Sequence, residues 1–312
     1  MSALGLSSQA GVNIRNSKEF SMLTSLKEIL RHAQEENYTV LAANIFNMES
    51  LLAIIGAAEE EQAPIIINIG QMRMRDEKLG SVLTHAACEL GEKSPVPVCI
   101  NLDHGTEKEV YLKAMDCGCT SIMVDASMKP YEENVAFTRE MVELAHSRGV
   151  SVEGEIGHVG QGADYTELGA KDMLTDPAVA KAYAEATGVD ALAVAIGTAH
   201  GTYKKAPKLD FDRLLEIEEV VNVPLVLHGA SCTGEDKLKK ASELGIRKIN
   251  MFTEFLIATA AEINRAYNED PSLNYDNLST IAIKTYKSKV RHYIELYGGR
   301  GKAWTPVKED KA

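Results

Sequence analysis

Pro64-Ile-Ile-Ile-Asn68 and Pro224-Leu-Val-Leu-His228 are short apolar runs that open on proline and close on a polar residue. Nearly continuous apolarity, rather than alternation, marks strands buried on both faces. Similar runs recur at Thr39–Ile45, Ala63–Gly70, Val96–Asp103, Ser121–Ser127, Ser151–Gly157, Ala191–Gly197, Val223–Gly229 and Ile246–Thr253. Each is followed by a segment with helical period: Glu49–Glu61, Asp76–Leu90, Glu107–Asp116, Glu132–His146, Pro177–Thr187, Asp210–Val221, Gly234–Leu244 and Glu254–Tyr267. Strand and helix therefore alternate eight times.

A chain of 312 residues admits two domains of roughly 150 residues. Eight regular units with no linker between them fit one closed α/β structure better, a (β/α)8 (TIM) barrel, than an open doubly wound sheet. The expectation is a single domain over residues 1–312, with the barrel at about 39–270. An N-terminal helix (Ser21–Glu36) precedes it, and a C-terminal helical extension at about 271–303 follows, with its helix at Tyr275–Tyr297. The connection His158–Thr175 is longer than the two to six residues usual for a βα loop and carries Gly160, Gly162 and Gly169. Its place after the fifth strand predicts a lid over the mouth of the barrel.

Composition narrows the function. Apolar residues at 45% and charged residues at 25% are an ordinary globular balance. With 33 Lys and Arg against 45 Asp and Glu, and no basic cluster, binding to nucleic acid or an anionic membrane is disfavoured. No apolar run approaches a membrane span and the N-terminus lacks a signal-peptide pattern, so a cytoplasmic protein is expected. Five scattered cysteines fit reduced thiols, and Cys117 and Cys119 are too closely spaced for the usual metal pair, which leaves packing as their role.

In a (β/α)8 barrel the working groups stand at the C-terminal ends of the strands. Asp103 and His104 close the third run, Glu155 closes the fifth with His158 just after it, His200 follows the sixth and His228 closes the seventh. Chance would put roughly one of the eight histidines at such places; four fall there. The trio His104, His200 and His228 is the ligand set of a catalytic zinc with an open position, which polarises a substrate carbonyl. Gly197-Thr-Ala-His-Gly201, His228-Gly-Ala-Ser231 and Asn250-Met-Phe-Thr253 add backbone N–H groups and hydroxyls where barrels bind phosphate. A phosphorylated carbonyl compound is the implied substrate.

These residues sit in motifs that resemble one family across about Thr24–Lys302: Asn44-Ile-Phe-Asn47, Val96-Pro-Val-Cys-Ile-Asn-Leu-Asp-His-Gly105, Val124-Asp-Ala-Ser127, Val152-Glu-Gly-Glu-Ile-Gly157, Ala193-Val-Ala-Ile-Gly-Thr-Ala-His-Gly201, Pro224-Leu-Val-Leu-His-Gly-Ala-Ser231 and Lys248-Ile-Asn-Met-Phe-Thr-Glu254. The set is similar to that of the class II, metal-dependent ketose-bisphosphate aldolases, which include fructose- and tagatose-bisphosphate aldolases. The resemblance implies reversible cleavage of a ketose phosphate to dihydroxyacetone phosphate and an aldehyde through a zinc-stabilised enediolate. It puts the zinc ligands on His104, His200 and His228, with Glu155 able to contact a displaced metal. Asp103 falls on the acid/base at the C4 hydroxyl. Gly201, Gly229, Ser231 and Thr253 match the phosphate pocket, Asn250 holds hydroxyls, and Asn44 is a further substrate-binding position. Zn2+, or another divalent metal, is the implied cofactor, and a homodimer or homotetramer the implied assembly. The alternative is a non-catalytic homologue that binds metal and sugar phosphate.

The sequence departs from the family at functional positions. Ala163 stands where the lid's Glu is expected, so Asp164, or Glu167, is the candidate lid base. At the acceptor end, Gly70, Leu256 and Tyr293 replace a hydroxyl and two cations that help hold the second phosphate, and Phe252 takes a place usually held by Asp or Ala. A phosphate dianion without cationic partners is costly to desolvate. The expected substrate is thus a ketose 1-phosphate, or a ketose with a different far end, unless Arg73 or Arg75, or Arg291 or Arg300, supplies the charge from a new position.

Overall fold

A computed structural model describes residues 21–157, 159, 160, 162, 166 and 173–306. Eight parallel strands close in sequence order: β1 (Val40–Ile45), β2 (Ile65–Gly70), β3 (Val98–Gly105), β4 (Ser121–Val124), β5 (Ser151–Ile156), β6 (Ala191–Val194), β7 (Leu225–Leu227) and β8 (Ile246–Met251). β8 pairs back onto β1 with Ala42 opposite Asn250, which completes the (β/α)8 barrel.

Helices cover the outside: α1 (Leu26–Glu35), α2 (Met48–Glu61), α3 (Gln71–Arg75), α4 (Leu79–Lys93), α5 (Lys108–Asp116), α6 (Tyr131–His146), α7 (Pro177–Thr187), α8 (Phe211–Val220), α9 (Glu235–Glu243), α10 (Thr253–Glu269) and α11 (Tyr275–Leu296). The main core lies between strands and helices and is built from outward-facing strand residues such as Ile65, Ile67 and Ile69. A second cluster fills the barrel interior with small and medium side chains, including Val40, Ala42, Ile66, Cys99, Ala193 and Val226. Leu26, Ile29, Leu30 and Ala33 of α1 belong to that same cluster, so α1 plugs the N-terminal end of the barrel. The mouth at the opposite end is left for the site.

Periodicity predicts a helix from Asp76 to Leu90; the chain forms α4 there and adds the short helix α3 before it. Asp76 separates the two: its Oδ1 accepts from the N–H groups of Lys78 and Leu79 at 3.0 and 2.7 Å and so starts α4. Lys113 closes the preceding one, its Nζ donating to the Met74 and Asp76 carbonyls at 2.6 and 2.9 Å.

The C-terminal extension is anchored at several points. α11 packs along α2 and α10, and Arg291 and Arg300 both pair with the buried carboxylate of Glu61 at 2.6 Å. Farther on, Trp304 stacks on His32 of α1 with ring centroids 3.8 Å apart. No helix among the described residues is long and apolar enough to cross a membrane.

The plug and the mouth lie at opposite ends, and this separation is testable. Leu30→Ala, at a fully buried position, is expected to lower unfolding stability by about 2–5 kcal/mol. Chemical denaturation measures that loss, while the KM for substrate stays at its wild-type value.

Candidate active site

Consecutive residues of a strand point to opposite faces, yet Asp103 and His104 both serve the mouth. The register between β3 and β4 shifts between Leu102 and Gly105, and His104 takes a left-handed φ of 51°. For a non-glycine residue that conformation costs about 1–2 kcal/mol. Bulges of this kind re-aim side chains beside active sites. At Gly105 no other residue fits, because a Cβ there would lie 2.2 Å from the Tyr111 ring.

A cavity of about 240 Å3 opens at the strand ends. Asn44, Asp103, His104, His200, Gly201, Gly229, Ser231, Asn250, Phe252 and Thr253 line it. His228 lies beneath with no exposed surface. Glu155 is also buried, and it groups with His104 and Asp125 rather than with the other two histidines. Arg73 is not among the lining residues; it is exposed on α3. His158, Asp164 and Glu167 lie outside the described residues. Of the proposed lid, Gly160 accepts from the His200 N–H at 2.8 Å and Gly162 donates to the His200 carbonyl at 2.7 Å. A Cβ on Gly162 would meet the Thr202 carbonyl oxygen at 2.6 Å, so glycine permits this close approach.

Asp103 is held from both sides. Asn44 Nδ2 donates to its Oδ2 at 2.7 Å and Asn250 Nδ2 to its Oδ1 at 2.9 Å. Burial alone would raise its pKa, but the charges of His104, His228 and Lys248 and the Asn44 hydrogen bond outweigh burial and hold it below the usual value. Asp103 is thus held in its carboxylate form.

The donor atoms of His104, His200 and His228 all lie within 4.8 Å of one another. His104 Nδ1 is bound to Asp125 Oδ2 at 2.8 Å, and His228 Nε2 to Glu153 Oε1 at 2.6 Å. With those nitrogens donating to carboxylates, His104 Nε2 and His228 Nδ1 face each other at 3.0 Å. Two lone pairs at that separation repel, so the pair requires a positive charge between them, a proton or a metal ion. Nitrogen ligands of a tetrahedral zinc stand about 3.3 Å apart, so the trio fits such an ion. Burial pulls the His104 pKa down, yet the Asp103 charge and the Asp125 hydrogen bond prevail and push it up to about 9. Burial, followed by the His104 charge, holds His228 well below its ordinary value. Glu155 is pushed up to about 8 by burial and then by the Asp125 charge.

The sequence alone gives Asp125, Glu153 and Lys248 no role. Spacing marks two of them: Glu153 and Glu155, and likewise Lys248 and Asn250, are two apart on a strand and therefore share its inner face.

The sequence family Fructose-bisphosphate aldolase class-II matches residues 24–302. The chain belongs to this class II aldolase family. It is 37% identical over 282 residues to the Escherichia coli K12 protein YdjI, covering 90% of this chain and all of YdjI. The crystal structure of the YdjI aldolase superposes with a TM-score of 0.80 at 34% identity, again over 90% of this chain and all of that one. The fructose-bisphosphate aldolase of Campylobacter jejuni shares the fold, with a TM-score of 0.79 at 20% identity over 90% and 97% of the two chains. The protein is an aldolase of this class with a candidate metal site at its mouth.

If His104 carries a proton where a metal ion binds, the two compete. Zinc affinity is expected to fall steadily from pH about 9 to about 6, with proton release on binding. Calorimetry in buffers of different ionisation enthalpy measures both; a flat affinity and no proton release would contradict the arrangement.

Proposed function

We propose that the protein is a metal-dependent aldolase that reversibly cleaves a ketose phosphate to dihydroxyacetone phosphate and an aldehyde. The observation that carries this reading is the carboxylate of Asp103, fixed by two amides, in one cavity with His104 and His200 and above His228. Zn2+ held by His104, His200 and His228 would supply Lewis-acid polarisation of the substrate carbonyl. Glu155, beside His104 and Asp125, is the carboxylate placed to contact a shifted ion.

The protein's own groups divide the remaining work. Gly201, Gly229, Ser231 and Thr253 surround the phosphate end, where the N-terminus of the 17-residue helix α10 adds its favourable dipole for an anion. Gly229 adopts φ of 66°, and a Cβ there would meet Ala199 backbone at 2.6 Å, so the turn passes close under the cavity only as glycine. Asn250 and Asn44 both line the cavity, where they hold hydroxyls and keep Asp103 in place. Asp103 takes the C4 hydroxyl proton on cleavage and returns it on condensation. Asp164 is the proposed base of the lid.

Among the described residues, no Lys or Arg lines the cavity. A Cβ at Gly70 would have nothing within 4 Å, so that position is open space. Leu256 packs against the core, and the Tyr293 hydroxyl donates to Glu254 at 2.6 Å. Arg291 and Arg300 are engaged by Glu61, and Arg75 by Glu107. Phe252 instead borders the cavity, backed by Phe46 with ring centroids 6.0 Å apart. This supports a ketose 1-phosphate, or a ketose whose far end carries another group, over a bisphosphate.

Coupled-enzyme detection of dihydroxyacetone phosphate tests the reading. With zinc, fructose 1-phosphate should be cleaved with a higher kcat/KM than fructose 1,6-bisphosphate, and a chelator should abolish turnover. Strong preference for the bisphosphate would refute the acceptor-end assignment, and absence of turnover on any ketose phosphate would leave a binding protein. Asp103→Ala is expected to lower kcat by about 10²- to 10⁴-fold. An equal cleavage rate in that variant would remove Asp103 from the mechanism.

A further inference from the structure

Directly below the histidine cluster, Glu153, Lys248 and His228 each have no exposed surface. Glu153 bridges the other two: Oε1 is 2.6 Å from His228 Nε2, and Oε2 is 2.7 Å from the Lys248 ammonium. Three strands contribute, Glu153 from β5, His228 from the end of β7 and Lys248 from β8, so the group spans the barrel interior. Lysine is among the residues least often fully buried, and here no surface position or substrate contact accounts for it.

We propose that Lys248 is a positioning residue for the metal site, acting through Glu153 to fix the orientation of His228; this rests on the metal-dependent reading above. A carboxylate engaged by an ammonium on one oxygen presents the other as an acceptor only. His228 therefore donates from Nε2, and its Nδ1 lone pair is turned to the cavity, 3.0 Å from His104 Nε2. Asn250 Nδ2, 3.2 Å from the same Nδ1, braces the ring from the mouth side. Without Lys248 the carboxylate would be buried with no counter-charge. Proteins relieve that arrangement by turning the group away or neutralising it. Either change takes the fixed acceptor from His228. Partners of metal-bound histidines commonly set affinity in this way.

Zinc affinity, measured on the purified full chain by competition with a chromophoric chelator, tests the proposal without reference to turnover. Glu153→Gln and Lys248→Met should each weaken zinc binding by roughly 10- to 100-fold. Because Lys248 acts through Glu153, the double variant should bind zinc no more weakly than Glu153→Gln alone. Partial recovery is expected, since the Gln amide no longer faces an ammonium. Wild-type affinity in Lys248→Met, or fully multiplied losses in the double variant, would overturn the proposal. Circular dichroism establishes folding first. Should Lys248→Met fail to fold, the comparison of Glu153→Gln with the double variant, which buries no unpaired charge, decides by the same criterion. Tight zinc binding by wild type with no aldol cleavage would instead count against the proposed function and leave this inference standing.

Discussion

Two imidazole nitrogens turned toward each other 3.0 Å apart, His104 Nε2 and His228 Nδ1, are the constraint on which the rest of the site depends. They stay there only because the far side of each ring is tied to a carboxylate, Asp125 for one and Glu153 for the other. Those carboxylates stand on neighbouring parts of a closed barrel, Asp125 just after β4 and Glu153 within β5, and the backbone ladder sets the spacing of the two strands. The site is therefore as rigid as the barrel. Asp103, adjacent in sequence to His104 but re-aimed by the bulge in β3, gains its fixed carboxylate character from the same cluster of positive charge.

The C-terminal extension contributes to this rigidity from outside. Tyr286 of α11 donates to the Asn44 carbonyl at 2.8 Å, and Asn44 in turn donates to Asp103. Tyr293 reaches Glu254, whose other oxygen accepts from the Cys232 N–H at 3.1 Å. One helix thus steadies the ends of β1, β7 and β8 together.

Much of this was legible in the sequence for a physical reason. Strands buried on both faces must be continuously apolar, as Ile65, Ile66 and Ile67 are, and eight such runs separated by amphipathic helices leave few topologies open. Histidines at strand ends stood out because the fold itself marks those positions. The hydrogen-bonded partners of those histidines were harder to see. Asp125, Glu153 and Lys248 act across strands, through a register that depends on closure and on the shift between β3 and β4. The five-residue helix α3 is too short to show a helical period, and Asp76 caps the helix that follows it. Arg73 and Arg75 drew attention by charge alone, and α3 carries both on its exposed face.

The barrel mouth brings His104, His200 and His228 together as a candidate metal site. Crystals grown with zinc and measured at the zinc absorption edge address it directly. An anomalous peak is expected about 2.0–2.1 Å from His104 Nε2, from His228 Nδ1 and from one His200 nitrogen. A zinc-loaded crystal with no peak there, or with the ion held by other residues, would contradict it.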